Sequence, residues 1–88
     1  MLTDKDLSKL KELLENNYEW PSNYTFKFIV PKDEVPKVEA LFPSHTFSLK
    51  TSRKGRFIGM TVDVKLDSPE IVVAIYQKAS LIKGLISI

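Results

Sequence analysis

The stretch 51-TSRKGRFIGMTVDVKL-66 decides the fold. Its second half alternates apolar and polar residues with a period of two. Ile58, Met60, Val62, Val64 and Leu66 fall on one side, and Phe57, Gly59, Thr61, Asp63 and Lys65 on the other. That pattern predicts a long antiparallel strand with one face on a core and one face wetter. Its first half is a basic turn around Gly55, a residue that takes positive φ cheaply and so suits a hairpin tip.

Working upstream, 46-TFSLKT-51 supplies the other arm of the hairpin, with Phe47, Leu49 and Thr51 alternating against Thr46, Ser48, Lys50 and Ser52. Tyr24 to Val30, YTFKFIV, is rich in aromatic and β-branched residues and predicts a first strand. Phe26, Phe28 and Val30 should face inward, and Thr25, Lys27 and Ile29 outward. Between these strands Asp33 is positioned to cap a short helix, with Pro36 tolerated in its first turn and Pro43 at its end. Val35, Val38, Leu41 and Phe42 would form its buried side.

Downstream, Ser68, Pro69 and Glu70 form a strong helix start. Val72, Ile75, Tyr76 and Ala79 form its inner stripe, Gly84 is its end signal, and LISI follows as a terminal strand. At the other end of the chain, Leu7, Leu10, Leu13 and Leu14 mark an amphipathic helix. Thr3 and Asp6 have capping-box spacing there, and Leu2 and Leu7 the spacing of a hydrophobic staple. Tyr18 and Trp20 should fasten this helix to the layer below it.

The order is one helix followed by β-α-β-β-α-β. The fold class is α+β: a ferredoxin-like βαββαβ sandwich, with two helices on one face of a four-stranded antiparallel sheet and an extra N-terminal helix. Residues 1–88 form one domain, with residues 1–17 as the added helix and 20–88 as the core. The 88-residue length allows one domain and not two. With 43% hydrophobic and 27% charged residues, the composition is that of an ordinary globule. There are no cysteines, which removes disulfides, thiolate metal sites and a cysteine nucleophile together. No apolar run reaches membrane-spanning length, and the charged N-terminus lacks a signal-peptide core, so a cytoplasmic location is expected.

A basic-glycine turn before a strand also occurs in RNA-reading sheets, whose next strand displays rings for base stacking. Aligned on Lys54 and Gly55, those ring positions fall on Arg56, Ile58 and Thr61. Phe57 is aromatic but one residue out of phase, and a one-residue shift reverses the face. No catalytic, cofactor or metal constellation stands out. His45 is the only histidine, and the carboxylates are scattered near predicted helix starts, where capping and the helix dipole account for several of them. The expectation is a non-enzymatic protein without a cofactor. Lys27, Lys50, Arg53, Lys54, Arg56 and Phe57 are the candidate contact set for a partner or an anion. In this fold the helices cover one side of the sheet, so the other side needs solvent, the N-terminal helix or a partner, including a second copy. Weak RNA binding through the basic hairpin and that open side is the alternative reading.

With this order in place, the sequence resembles the YbeD-like family of small uncharacterised bacterial proteins. The resemblance runs from Trp20 to Ile88 and rests on YTFKFIV, TSRKGRFIGMTV and SPEIVVAIYQKASLIKGL. Its most telling residues are Ser52, Lys54, Gly55 and Phe57, then Glu70, Val72, Ile75 and Tyr76. Gly59-Met60 stands where family members often have Ser-Val, and Ala79 where they often have leucine. The resemblance implies a fold like that of ACT-type regulatory domains, which bind small ligands and pair through sheets or helices. It brings no catalytic residues. The glycine that usually marks an ACT ligand loop is missing between Lys32 and Pro36.

Overall fold

The computed structural model describes residues 4–88. Its elements are α1 (Asp4–Asn17), β1 (Ser22–Pro31), a 3-10 turn (Lys32–Glu34), α2 (Val35–Leu41), β2 (Ser48–Thr51), β3 (Phe57–Leu66), α3 (Pro69–Ala79) and β4 (Ile86–Ser87). The strands form one antiparallel sheet in the order β2-β3-β1-β4. That is a ferredoxin-like sandwich with an added N-terminal helix. The Thr3 cap and the Leu2 staple lie outside the described residues.

The period-two pattern of β3 is realised without a slip. Ile58, Met60, Val62, Val64 and Leu66 are buried, and Val62 and Met60 lie opposite the inward Phe26 and Phe28 of β1. Val38 and Phe42 from the α2 side, and Val72, Tyr76 and Ala79 of α3, close the core from above. The filling is strongly aromatic: Phe26 sits 5.0 Å from Phe42 and 5.3 Å from Tyr76, centroid to centroid. Truncating a buried ring of this kind costs about 3–5 kcal/mol. A domain of this length has about 4–13 kcal/mol of stability in total.

Helix α1 joins the same layer beside α3. Leu7 and Leu14 enter the common core, and Lys11 lies 3.6 Å from Glu70 at the start of α3. The indole of Trp20 donates to the Leu14 carbonyl at 3.2 Å and its ring packs on Tyr18, so this pair does fasten the helix. The Trp20–Pro21 bond is cis.

Several expected boundaries move, each for a local reason. Asp33 is not a cap. The 3-10 turn lets the Val35 amide bond back to the Lys32 carbonyl, and Pro36 has no amide to offer a capping carboxylate. Ser68 does stand at the helix start in extended conformation, but its hydroxyl makes no cap bond; its carbonyl accepts the Ile71 amide instead. β2 begins at Ser48 rather than Thr46, because Phe47 leaves the ladder to set its ring against Phe42. Helix α3 stops at Ala79, not Gly84. The Ser80 hydroxyl bonds the Gln77 carbonyl, and the Leu81 and Ile82 amides switch to carbonyls three residues back. β1 runs two residues earlier and one later than expected, and Pro31 is tolerated because its missing amide would face the β4 side, beyond Ile86.

Candidate interaction surface

Among the described residues all three helices lie on the inward side of the sheet, and none of them covers the other side. Strand parity lays out its rows. Ile86, Ile29, Gly59 and Lys50 are neighbours across β4, β1, β3 and β2. The next row holds Ile88, Lys27, Thr61 and Ser48, since the Ile88 amide bonds the Lys27 carbonyl and Thr61 pairs with both Lys27 and Ser48. Thr25 faces Asp63, Asn23 faces Lys65, and at the opposite end Phe57 faces Pro31.

The centre of this face is hollow. Gly59 contributes no side chain, and a concavity of about 400 Å³ opens there, bounded by Lys27, Ile29, Ser48, Lys50, Thr61 and Ile88. Its lining is mostly aliphatic, with ammonium groups on two sides. Ile86 and Ile88 are 55% and 72% exposed, so the apolar surface continues to the sheet edge.

The charge here is one-sided. Lys27, Lys50 and Lys65 are on the face and Arg53, Lys54 and Arg56 on the adjoining hairpin, six of the 13 basic residues of the chain. Asp63 is the one acidic residue in the four strands, and it already accepts the Thr25 hydroxyl. None of the six cations has an ion-pair partner among the described residues. The net charge is +2, so the rest of the chain, without these six cations and Asp63, carries a net −3.

The expected contact set therefore divides in two. Lys27 and Lys50 flank the hollow, with Cα atoms about 12 Å apart by standard sheet spacings. Arg53, Lys54 and Arg56 lie beyond the sheet end on a tight turn, where the Gly55 amide bonds Ser52 and Gly55 has φ +73°. Phe57 has the open-face parity expected of it but stands at the margin, 40% exposed, and no second ring joins it to make a stacking platform. Sequence reasoning missed Ile86 and Ile88. Only the register of β4 on β1 assigns them to this face, and a strand of two residues carries no period from which to read that register.

Other features hold less chemistry. A larger concavity of about 530 Å³ is formed by residues 80–87 and Tyr76 around the turn after α3; Lys83 is the only charged side chain in it. The Tyr76 hydroxyl lies 3.0 Å from that of Tyr24, and burial, reinforced by this hydrogen bond, pushes the Tyr76 phenol well above its ordinary range. His45 is exposed, with its Nδ1 3.1 Å from the Pro43 carbonyl. Among the described residues no group of three or more His, Asp or Glu is placed to share a metal ion. No helix among them is long and apolar enough to cross a membrane.

The sequence profile of a family described as Protein of unknown function (DUF493) matches residues 15–86, from the end of α1 to the first residue of β4. Neither the curated proteins nor the solved structures give a significant match.

Proposed function

The chain belongs to the DUF493 family, and from that starting point we propose that it is a non-enzymatic interaction module that engages a protein partner through the open face of its sheet. The observation that carries this reading is the bare face itself. It exposes Ile86 and Ile88, together with Phe57 at its margin, while the helices are all spent on the other side. An uncovered apolar surface rimmed by charge is the usual mark of a binding site. Within the family we place the chain in the YbeD-like group, and we read its role as regulatory in the manner of ACT-type domains, in a cytoplasmic setting. The shared βαββαβ order, the paired runs around Gly55 and Tyr76, and the cysteine-free composition support that placement.

The test compares the wild-type chain with Ile86→Asp as bait. A partner held by the wild type and lost by the variant supports the reading, and sedimentation over a concentration series identifies a partner that is a second copy. A partner held equally by both, or a strict monomer that holds none, sinks it.

A second reading is weak RNA binding, favoured by the three hairpin cations beside the half-exposed Phe57 ring. It predicts an affinity that falls steeply with salt and drops on Arg53→Ala or Lys54→Ala. Binding indifferent to both removes it.

A further inference from the structure

Gly59 is a glycine that the backbone does not require. It is the third of the ten residues of β3, the strand that joins β2 to β1. The glycines with positive φ are Gly55 and Gly84, and Gly59 is not among them. A Cβ built on it would meet the Lys50 carbonyl oxygen at 3.5 Å and the Lys50 Cβ at 3.9 Å, both ordinary contacts. Glycine weakens a strand interior, and where geometry does not ask for it, it often marks a site of close approach by a ligand or another chain. The approach here is from the open side, into the hollow.

We propose that this hollow receives an aliphatic side chain from an extended, acidic partner segment whose carboxylates reach Lys27 and Lys50. The inference rests on the interaction-module reading and names the chemistry of its partner. In an extended chain, residues i, i+2 and i+4 point the same way, and i and i+4 are about 13 Å apart. That span matches the separation of Lys27 and Lys50, which is about 12 Å by the same spacings. The midpoint between them lies over β3, between Gly59 and Thr61. A segment of the form acidic-x-aliphatic-x-acidic thus places its central side chain where the glycine leaves room. The surface charge favours an acidic occupant, because the lysines have no partner among the described residues and Asp63 is engaged by Thr25. The same charges disfavour a second copy docked face to face, which would set lysines against lysines. The side chains that open-face parity turns toward the hollow include Ile29 and Ile88, and the one aromatic residue along it, Phe28, is buried in the core, so the hollow fits an aliphatic chain better than a nucleobase.

The experiment is an amide NMR titration of the full chain at low salt with the peptide Glu-Ser-Leu-Ser-Glu. Controls are Glu-Ser-Ser-Ser-Glu, Lys-Ser-Leu-Ser-Lys and a short oligouridylate. The leucine peptide should shift the Gly59, Ile29 and Lys50 amides and bind at least about tenfold more tightly than its serine counterpart. Gly59→Val, which fills the hollow, should cost a similar factor while keeping a dispersed, folded spectrum. Lys50→Gln should cost about two- to fivefold, as expected of an exposed ion pair. Equal binding of the serine peptide, tighter binding of the oligouridylate at the same amides, no shifts at millimolar peptide, or Gly59→Val indistinguishable from wild type would each overturn the inference. Ile86→Asp separates the two levels. If it abolishes partner capture while Gly59→Val leaves peptide binding intact, the module reading stands and the hollow is not its site. If neither variant has an effect, both fall.

Discussion

Replacing Gly59 by alanine should make the protein more stable. Glycine within a strand costs about 0.5–1 kcal/mol relative to alanine, because the unfolded chain has more freedom to lose. That gain is normally cancelled when the native φ is left-handed or the new methyl collides. Neither applies here: Gly59 is outside the left-handed region, and its Cβ would find nothing closer than 3.5 Å. The methyl would stand in the open hollow, so no extra burial is added to the sum. For a domain of this size 1 kcal/mol moves the midpoint by about 4–8 °C, so the expected rise in Tm is about 2–8 °C. Urea unfolding followed by far-UV circular dichroism should show a higher midpoint with an unchanged slope, the sign of a stability change without a change in exposed surface. A lowered Tm, or a midpoint that moves only because the slope moves, would refute the reasoning. It would mean that the fold itself requires the glycine and that its hollow says nothing about a partner.

Gly84→Ala should do the opposite. Its φ is +74° and its Cβ would lie 2.8 Å from Pro31 Cγ, so left-handed strain of about 1–2 kcal/mol adds to a clash, and thermal unfolding should begin at least several degrees lower. Alkaline pH should also destabilise the protein through Tyr76. Its phenol is held protonated by burial and by Tyr24, so the folded pKa lies above the unfolded value of about 10. Above about pH 10 the unfolded chain sheds that proton first, and stability falls with rising pH. Urea midpoints measured across that range should decline more shallowly in Tyr76→Phe, and an identical decline in both proteins would count against this assignment.

The sheet was legible in the sequence because its alternation is unbroken. Phe26, Phe28 and Val30, and Ile58 through Leu66, each occupy the face that period two assigns them, so the bare face and its lysines followed. What escaped depends on competition between local bonds. Nothing in KASLIKG announces that the Ser80 hydroxyl will draw the Gln77 carbonyl and end the helix before its glycine. Asp33 has the right chemistry for a cap, but the 3-10 turn ahead of Pro36 satisfies the backbone first. The candidate surface was half legible. Lys27, Lys50 and Phe57 came from parity, whereas Ile86 and Ile88 depend on how a two-residue strand meets β1. The hollow needed three strands in register before the missing side chain of Gly59 became a space.

The placement of the lone tryptophan has a practical consequence. Trp20 is tied to Leu14 and half-buried beneath α1, on the helical side of the molecule. Its emission should therefore report whether that helix is seated and stay silent when something settles on the lysine-bearing side. A fluorescent label on the incoming molecule would follow the second event at another wavelength. Helix docking and occupancy could then be timed separately in one cuvette.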